Sequence, residues 1–315
     1  HTPLHMSHQP VMLSEMLEIL NPQDREIYVD GTFGAGGYTR AILDRADCTV
    51  IAIDRDWAAI ARAEALKEKY GDRLIFLHGN FGDVADLLAA AGFGKVDGFV
   101  LDLGVSSMQF DEAERGFSFR FDGPLDMRMD TGQGATAADL VNTLPEKDLA
   151  DLIYRYGDER QSRRIARKIV ERRAEAPFKT TQDLAQVVRS CVPRSPFDDS
   201  DPATRTFQAL RIAVNDELGA LEHALAAADR ILKSGGRMIV VSFHSLEDGR
   251  VKNFFRSAAG QGPQGSRYLP QQARPETHFT LLARKGLRPG KEEIARNPRA
   301  RSAVLRAADR TQEVA

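Results

Sequence analysis

Short apolar runs alternate with helix-forming segments over the first third of the chain. Ala, Glu and Lys dominate one of the intervening segments, residues 58–69, and favour a helix there. Near-continuous apolar strands that alternate with helices are typical of a parallel sheet covered on both faces. The pattern therefore predicts an α/β fold whose first four strands are residues 27–30, 49–53, 74–77 and 96–101.

This alternation stops after Asp102. Residues 105–135 are rich in Gly, Asp, Arg and Phe and show neither the period of a helix nor that of a strand. Residues 149–156 then place apolar side chains at i, i+3, i+4 and i+7, and Thr180 with Asp183 has the spacing of a capping box. These patterns predict an all-helical insertion within the α/β domain. The predicted boundaries are 109–213 for the insertion and 1–108 with 214–315 for the α/β domain.

The α/β pattern resumes after the insertion. Apolar residues spaced by three or four over residues 207–232 predict one long helix, which the glycine pair at 235–236 ends. Residues 237–243 then predict another buried strand, and residues 279–283 a last one.

A glycine loop, DGTFGAGG at residues 30–37, gives the sharpest local pattern. It lies between a predicted strand and a predicted helix, where Gly34, Gly36 and Gly37 allow a tight turn and close approach of a ligand to the helix N-terminus. Asp54 ends the next strand, where a carboxylate can accept hydrogen bonds from both hydroxyls of an adenosine ribose. The loop and Asp54 together predict a site for a nucleoside cofactor.

Two cofactors use this geometry, NAD and S-adenosylmethionine. The NAD fingerprint is G-x-G-x-x-G, and this loop lacks its last glycine. Asp30 also stands just before the first glycine, where a carboxylate would repel a pyrophosphate but suits a sulfonium and an amino group. The electrostatics therefore favour S-adenosylmethionine, with NAD as the alternative.

Polar and aromatic residues follow three further strands. Phe81 comes after the third strand, where it could stack on adenine, and Asn80 could bond the adenine edge; an ordinary core role for Phe81 is equally consistent. Asp102 ends the fourth strand, and a buried acid there needs a partner or a function. His244 and Ser245 follow the fifth strand, also at the expected ligand edge.

The net charge of −2 over 315 residues argues, taken whole, against binding to nucleic acid. Its distribution is uneven, since residues 249–301 hold twelve basic and three acidic residues, a net of +9, and residues 1–248 carry −11. A basic stretch on an acidic body indicates a polyanion partner, while scattered surface charge is the plain alternative. A second basic stretch, residues 160–173, has the same two interpretations.

Cysteine usage and apolar run lengths limit the class of protein. Cys48 and Cys191 form no CxxC pair, so neither a common zinc pattern nor a disulfide framework is predicted, and we assign no metal ligands. No apolar run reaches 18 residues, so we expect no membrane span. The chain also opens without the pattern of a secretory signal. These features predict a cytoplasmic protein in a reducing compartment.

Eight motifs, in order, resemble those of the bacterial 16S rRNA cytidine N4-methyltransferases, the MraW family (small-subunit methyltransferase H). They are DGTFGAGGYT, AIDRD, GNF, DLGVSS, PLDMRMD, TFQALRIAVNDEL, SFHSLEDGRVKNFF and EEIARNPRARSAVLRA. The resemblance spans about residues 10–308. It implies a class I S-adenosylmethionine methyltransferase fold, Rossmann-like with a mostly parallel sheet, and an inserted helical domain that recognises substrate. It also implies methylation of the exocyclic amine of a cytidine in the decoding region of small-subunit rRNA.

The resemblance also implies which residues bind the cofactor. One departure is Tyr38, where many relatives have His, and this weakens the assignment of that side chain. Met108 and Phe110 depart as well, although Gln109 between them is kept. The implied cofactor positions are Gly36, Gly37, Tyr38, Asp54, Phe81, Asp102 and Gln109, in addition to Asp30 and Gly34 from the loop itself.

The chemistry requires groups that accept from the cytosine amine, because its lone pair is delocalised into the ring. Asp102 or Ser106, or a backbone carbonyl near Leu103, can accept from the amine and take its proton. The familiar Asn/Asp-Pro-Pro-aromatic motif is absent, and DLGVSS stands in its place. Methylation at carbon 5 would need a cysteine near the fourth strand, and the sequence has none there. His244 is the third catalytic candidate, as a contact to the flipped base.

The expected partner is therefore 16S rRNA in the small ribosomal subunit, with a homodimer as one open oligomeric state. Arg128 could bind phosphate or bridge Asp126 and Asp130, and Asn215 could face the site or the helix surface. Three alternatives stay open: a methyltransferase with a protein or DNA substrate, an NAD-dependent oxidoreductase, and an inactive RNA-binding scaffold.

Overall fold

The computed structural model describes residues 9–197, 200–260, 278–282 and 285–311. The chain divides into two compact units. One combines His1–Gly104 with Leu218–Ala315, and the other is Val105–Glu217. The predicted insertion, residues 109–213, lies within the second unit. None of the helices in the described part of the chain is both long enough and apolar enough to cross a membrane.

Strands and helices alternate up to Asp102, as the apolar pattern predicts. The strands are short and rich in Val and Ile, whose branched side chains suit a pleated sheet. Short 3₁₀ turns at Gly71–Arg73 and Phe81–Asp83 adjoin the third strand. In chain order the elements are α1 (Leu13–Leu20), β1 (Ile27–Asp30), α2 (Gly37–Arg45), β2 (Thr49–Asp54), α3 (Ala59–Tyr70), β3 (Leu74–His78), α4 (Val84–Ala90) and β4 (Val96–Asp102).

All regular elements among the described residues of Val105–Glu217 are helices, and one isolated bridge joins Pro124 and Thr180. This confirms the all-helical insertion. The predicted capping box is present, since Thr180 Oγ1 accepts from Asp183 N and the Asp183 carboxylate accepts from Thr180 N. The helices are α5 (Ser107–Asp111), α6 (Ala137–Thr143), α7 (Glu146–Gly157), α8 (Ser162–Glu175), α9 (Thr181–Cys191) and α10 (Thr204–Asn215). Their apolar faces form one core, which includes Val141, Ile153, Ile165, Leu184 and Leu210.

The chain then returns to the sheet through α11 (Glu217–Ile231), β5 (Leu232–Ser242), α12 (Ser245–Ala258), β6 (Phe279–Leu281), α13 (Lys291–Arg296) and β7 (Val304–Arg310). The strand order is β3-β2-β1-β4-β5-β7-β6. The first five strands are parallel, and β7 is antiparallel to both β5 and β6. This is the mostly parallel, Rossmann-like sheet expected from the resemblance, and the order reverses between β1 and β4.

Each face of the sheet is covered by helices because side chains alternate along the strands. Val50 and Ala52 of β2 point into a core shared with α1, α2 and α3. Ile51 and Ile53 point into the opposite core, which is shared with α4, α11 and α12. The sheet is therefore a rigid platform whose strand ends can hold ligand-binding groups.

Two predicted elements were wrong. The long helix predicted over residues 207–232 is two helices, α10 and α11, separated by Asp216 in a left-handed conformation with φ 46°. Asp tolerates that conformation better than most residues, and the spacing of apolar residues continues across it, so the sequence hides the break. Gly235 and Gly236 do not end this helix but lie inside β5, where its pairing with β4 is irregular.

The predicted last strand is β6, and a further strand, β7, was missed. Of the predicted residues 279–283, Ala283 lies outside the described residues. Polar positions interrupt the apolar pattern of β7, since Arg306 and Arg310 belong to the strand. Arg306 forms an ion pair with Asp248, and Arg310 forms one with Asp229. Because these partners are distant in sequence, the local apolar pattern does not predict the strand.

Candidate active site

Three of the predicted carboxylates end neighbouring strands. Asp30, Asp54 and Asp102 are the last residues of β1, β2 and β4. In the sheet Asp30 is in register with Ala52 of β2 and Val100 of β4, each two residues before the strand's final acid. The three acids therefore lie along one carboxyl edge, beside the point where the strand order reverses. This is the usual position of ligands in open α/β sheets.

Hydrogen bonds to β2 fix the glycine loop between β1 and α2. Gly34 N donates to Asp54 Oδ2 at 2.7 Å. Gly34 and Gly36 have φ values of 53° and 85°, in the left-handed region that favours glycine. A Cβ on Gly36 would lie 2.8 Å from the Leu66 side chain, so the turn also needs the space. The loop is therefore a tight turn held against the Asp54 carboxylate, and it leads directly into the first turn of α2.

Asp30 lies at the base of this loop and is fully buried. Its Oδ1 accepts from Thr32 N at 3.1 Å, and its Oδ2 accepts from Thr39 Oγ1 at 2.7 Å. Burial raises the pKa of Asp30 to about 6, against the hydrogen bonds from Thr39 and Thr32, which lower it. The Asp30 carboxylate therefore fixes the start of the loop through Thr32 and the first turn of α2 through Thr39. It also places a titratable group beside the loop.

Asp54 is half-buried and anchors two backbone groups. Its Oδ2 accepts from Gly34 N, and its Oδ1 accepts from Asp56 N at 2.9 Å. Burial raises the pKa of Asp54, while these two backbone hydrogen bonds lower it. A carboxylate has about four lone-pair positions, so both oxygens keep capacity for the two hydroxyls of a ribose.

Asp102 is held by hydrogen bonds through both its side chain and its backbone. Its Oδ1 accepts from Gly104 N at 3.0 Å, and its own N donates to Thr32 Oγ1 at 2.7 Å. Burial raises the pKa of Asp102 to about 7, and the nearby charges of Asp30 and Glu247 add to the rise. A carboxylate with a pKa near 7 both accepts and releases a proton readily at neutral pH.

His244 follows β5, the strand next to Asp102, and caps helix α12. Its Nδ1 accepts from Glu247 N at 3.4 Å, and Glu247 Oε1 accepts from Phe243 N at 2.9 Å. Because Nδ1 is an acceptor, the neutral ring carries its proton on Nε2. His244 Nε2 is buried and lacks a hydrogen-bond partner among the described residues, although Glu247 Oε2 lies 3.4 Å away. His244 therefore offers one donor at the carboxyl edge.

Tyr38 lies in the first turn of α2 but faces inward. Its side chain is buried in the core on that face of the sheet, and its hydroxyl donates to the Val11 carbonyl. Gly37 is equally constrained, since a Cβ there would lie 2.7 Å from Pro10. The structure gives the Tyr38 side chain a packing role, so its backbone, rather than its hydroxyl, lies at the loop.

Phe81 and Asn80 follow β3 as predicted, but their side chains are engaged locally. Asn80 Oδ1 accepts from Gly82 N at 2.9 Å and caps the 3₁₀ turn. Phe81 is partly buried and packs on the core of α4 and α11. Its Cβ lies 3.1 Å from the position that a Cβ on Gly31 would occupy, so Phe81 also lies against the start of the glycine loop.

Trp57 is a further aromatic residue at this edge, which the sequence pattern did not predict. It lies three residues after Asp54, and its indole stacks on the His78 ring with centroids 3.4 Å apart and planes 16° apart. Half of the Trp57 surface is exposed. In the sheet His78 is in register with Asp54, so the pair lies beside the predicted ribose carboxylate. The only marker in the sequence was the chain's single tryptophan, directly after a strand-end acid.

Two predicted site residues lie in the helical unit. Ser106 precedes α5, and its carbonyl accepts from Gln109 N at 3.0 Å. Gln109 is buried. Both lie on the segment that directly follows β4, and their proposed roles rest on the resemblance and on chemistry.

Arg128 and Asn215 have structural roles in the same unit. Arg128 forms a two-pronged pair with Asp126, Nε to Oδ1 at 2.7 Å and Nη2 to Oδ2 at 3.0 Å, and no pair with Asp130. Asn215 is buried, accepts from Met129 N at 2.8 Å and donates to the Met127 carbonyl at 2.9 Å. The structure therefore contradicts two of the expected alternatives. Arg128 does not bridge Asp126 and Asp130, and Asn215 does not lie on the helix surface.

The basic stretch at residues 249–301 is partly neutralised within the protein. Arg250 pairs with Glu222 at 2.9 Å, and the neighbouring Arg306 pairs with Asp248 at 2.6 Å. Arg296, Arg299 and Arg301 are exposed. Arg267, Arg274 and Arg284 of this stretch lie outside the described residues.

Comparisons with known proteins bear on this site. The MraW methylase family matches residues 5–311. The ribosomal RNA small subunit methyltransferase H of Rhodospirillum rubrum is 57% identical over 97% of this chain and 94% of its own length. That of Rhodospirillum centenum is 59% identical over 96% of this chain and 92% of its own. An rRNA methylase structure from Streptococcus thermophilus aligns with 99% of this chain and 98% of its own, at 12% identity and a TM-score of 0.42.

The family match covers nearly the whole chain, including every strand-end acid, the glycine loop and the capping histidine of α12. The two relatives are also similar in length to this chain, so the match is not confined to a shared cofactor domain. The chain belongs to the MraW methylase family.

Proposed function

We propose that this chain transfers the methyl group of S-adenosylmethionine to the exocyclic N4 of a cytidine in the decoding region of 16S rRNA. Family membership confirms the enzyme class and the cofactor expected from the sequence, an S-adenosylmethionine-dependent rRNA methyltransferase. The names of the relatives support small-subunit rRNA as the substrate. The choice of the cytidine N4 atom is supported by the chemistry of the site.

One observation carries the proposed chemistry. Asp102 ends β4 beside the glycine loop, and its pKa is raised to about 7. A carboxylate in that position can accept a hydrogen bond from an amine N–H and then take the proton, since its pKa matches the working pH. It is held in place by Gly104 and Thr32, so little reorganisation is needed when the base arrives.

The residues at the carboxyl edge fit S-adenosylmethionine. Asp54 keeps acceptor capacity for the ribose hydroxyls, and Asp30 and Asp102 provide negative charge for a sulfonium and an ammonium group. Gly34 and Gly36 let the backbone approach a ligand without a side chain in the way. When bound, the cofactor supplies an electrophilic methyl carbon on a sulfonium.

Asp102 acts on the amine in two stages. By accepting from one N–H it draws the N4 lone pair out of conjugation with the ring, which makes the nitrogen a better nucleophile. N4 would then take up the methyl carbon that bound S-adenosylmethionine supplies, with the thioether as the leaving group. The positively charged amine loses its proton to the Asp102 carboxylate, so charge balances within the site. Positioning of the two reacting atoms supplies much of the remaining rate.

His244 supports recognition of cytosine. Its buried Nε2–H makes no hydrogen bond to a described residue and has only the Glu247 carboxylate nearby, at 3.4 Å, while cytosine presents acceptors at N3 and O2 beside its amine. A donor from His244 and an acceptor from Asp102 therefore complement the cytosine edge. Uracil offers the opposite pattern, with a donor at N3 and an acceptor at position 4.

Methylation of purified small subunits tests this function directly. Subunits from a strain that lacks the enzyme are incubated with the chain and labelled S-adenosylmethionine, and the rRNA is digested to nucleosides for mass analysis. N4-methylcytidine at a single decoding-region site is the expected product. Label in carbon 5 of cytosine, in ribosomal protein or in DNA would replace this function with another methyltransferase activity.

Calorimetry with both cofactors addresses the remaining alternatives. If S-adenosylmethionine binds and NAD does not, the result supports the proposed function. If only NAD binds, the chain is instead an NAD-dependent oxidoreductase. RNA binding without any methyl transfer would make it a scaffold.

An enzyme of the small ribosomal subunit would act in the cytoplasm. A homodimer is part of this proposal as well, and light scattering at the assay concentration tests it.

A further inference from the structure

Seven basic residues between 160 and 173 form the second basic stretch of the chain, and the structure sorts them into two groups. Three of them are used inside the helical unit or by a neighbour on the helix. Arg173 Nη1 donates to the carbonyls of Val141 at 3.1 Å and Leu144 at 2.7 Å. Arg172 lies 3.8 Å from Asp183 and also bonds a backbone carbonyl. Lys168 pairs with Glu171 at 3.5 Å.

The other four, Arg160, Arg163, Arg164 and Arg167, are exposed and make no hydrogen bond or ion pair with any described residue. Three of them lie on α8 at i, i+1 and i+4, which places them within an arc of about 100° on one face. Arg160 lies in the turn just before the helix. The opposite face of α8 is buried through Ser162, Ile165, Ala166 and Ile169. We call the four arginines the α8 arginine face.

The first turn of α8 adds to this positive charge. It contains no acidic residue, and Gln161 at the N-cap makes no side-chain capping bond. The acid that precedes it, Glu159, is buried and accepts from Gln161 N at 3.0 Å. The positive end of the helix dipole therefore points toward the same region as Arg160, Arg163 and Arg164.

This arrangement does not stabilise the helix. Arg163 and Arg167 are like charges at i and i+4, which repel on a helix surface. A positive side chain near a helix N-terminus is also unfavourable with respect to the dipole. The α8 arginine face is therefore better suited to an anionic partner than to the fold itself, whereas Arg172 and Arg173 at the other end of the helix serve the fold.

We propose that the α8 arginine face binds phosphates of the folded rRNA substrate, an inference that rests on the proposed function. Guanidinium groups bind phosphate oxygens through two parallel N–H donors. The deep major groove of an RNA helix is closed to side chains, so exposed arginines on a helix face contact the backbone rather than read the sequence. It contributes affinity for the subunit, while the choice of base belongs to the carboxyl edge.

Direct binding to methylation-deficient small subunits tests this inference. The test variants are R163A/R167A and R163E/R167E, and the control is K147E/K179E. Lys147 and Lys179 are exposed cations of the same unit that lie off α8, so R163E/R167E and the control change the net charge equally. Cofactor binding and thermal melting of each variant verify that the fold is intact.

Salt dependence provides the quantitative readout. Log affinity falls with log salt, and each lost phosphate contact makes this negative slope less steep by about 0.7 to 0.9, so R163E/R167E should make it less steep by roughly 1.4 to 1.8. We expect KM for subunits to rise about tenfold or more, with kcat at saturating subunit near wild type. R163A/R167A should show the same slope change and a smaller rise in KM.

Two outcomes would overturn the inference. One is an unchanged salt slope in both arginine variants, and the other is an equal loss in K147E/K179E, which would show an effect of net charge alone. Neither outcome touches the proposed function, because methylated cytidine from the wild-type chain is measured separately. A wild-type chain that binds subunits through this face but forms no N4-methylcytidine would instead refute the proposed function.

Discussion

Charged side chains at the carboxyl edge of the sheet and on the α8 arginine face have opposite environments. Asp30, Asp54 and Asp102 are buried or half-buried, and each is bonded to backbone or hydroxyl groups of the protein. Arg163 and Arg167 are exposed and have no partner in the described structure. The acids are held in one geometry with altered pKa values, and the arginines are free to adjust to a partner.

This difference in environment suits the carboxyl edge to catalysis and the α8 arginine face to substrate binding. A group that moves a proton at a defined atom needs a fixed position and a matched pKa, which burial provides at Asp102. A group that contacts phosphate needs full charge, several donors and freedom to adapt, which exposure provides on α8. Substitutions in the two regions should therefore change different kinetic constants.

Removing the Asp102 carboxylate should give the largest effect. We expect D102A to lower kcat by about 10²- to 10⁴-fold, the usual range for loss of a general base. KM for the small subunit should stay within about twofold of wild type. Steady-state methylation at saturating cofactor and varied subunit concentration measures both constants.

D102N is the matched variant, because its side-chain oxygen can still accept from Gly104 N. It should keep the fold and remain nearly as inactive as D102A. Full activity in either variant would exclude Asp102 as the proton acceptor and leave Ser106 or a backbone carbonyl as the candidate.

The two ends of α8 should respond differently to truncation. R173A removes the donor that Val141 and Leu144 carbonyls share, and we expect it to lower the free energy of unfolding by about 1–3 kcal/mol. R163A removes no hydrogen bond or ion pair to a described residue and relieves a like-charge pair, so its change should lie within about 0.5 kcal/mol of zero. Urea denaturation of both variants at one ionic strength makes the comparison.

Equal destabilisation by R163A and R173A would mean that Arg163 has a structural partner, which would remove the basis of the α8 arginine face. R173K serves as control. Its ammonium group can replace only part of the two hydrogen bonds, so its loss of unfolding free energy should lie between those of the wild type and R173A.

Titration of the carboxyl edge should move activity and stability in opposite directions. Asp102 must be ionised to accept a proton, so kcat/KM should fall about tenfold per pH unit below its pKa of about 7. Asp30 and Asp102 have folded pKa values of about 6 and about 7, above their ordinary value of 3.8. The folded state therefore binds more protons than the unfolded state between about pH 4 and 7.

The stability that these two groups contribute is fully present below about pH 4 and is lost as pH rises through about 7. Melting temperatures of the wild type and D102N between pH 5 and 8 measure this, and the variant should show the flatter profile. A pH–rate profile with no break near pH 7 would contradict the assignment of the Asp102 pKa.

Local patterns were enough to predict the carboxyl edge. A glycine loop between a strand and a helix, with acids at the ends of other strands, places Gly34, Asp54 and Asp102 at the same edge of a parallel sheet. The direction of the Tyr38 side chain was not predictable, because it depends on the carbonyl of Val11 in a segment outside the sheet.

Features that depend on contacts between residues distant in sequence could not be predicted from the local apolar and charge patterns. Arg306 of β7 looks like a surface residue until it is paired with Asp248, and the strand was missed for that reason. The arginines of α8 are alike in sequence, and only Arg173 has nearby carbonyls from α6. Charge counts along the chain thus indicated a polyanion partner but not which cations are free to bind it.

Trp57 should give the smallest effect and a direct report from the edge. It is the only tryptophan in the chain, so all intrinsic tryptophan fluorescence comes from the indole that stacks on His78. Stacking of a base on an aromatic ring contributes about 1–3 kcal/mol, and the indole is half-exposed beside Asp54. We expect S-adenosylhomocysteine to change the emission and W57A to raise its Kd by about fivefold, with W57F intermediate. This is the lower end of the stacking range, because His78 already covers one face of the indole. Methionine, which lacks the base, should leave the emission unchanged. If the emission is the same with and without S-adenosylhomocysteine and W57A binds it normally, the Trp57–His78 pair belongs to the fold alone and the edge that binds cofactor ends at Asp54.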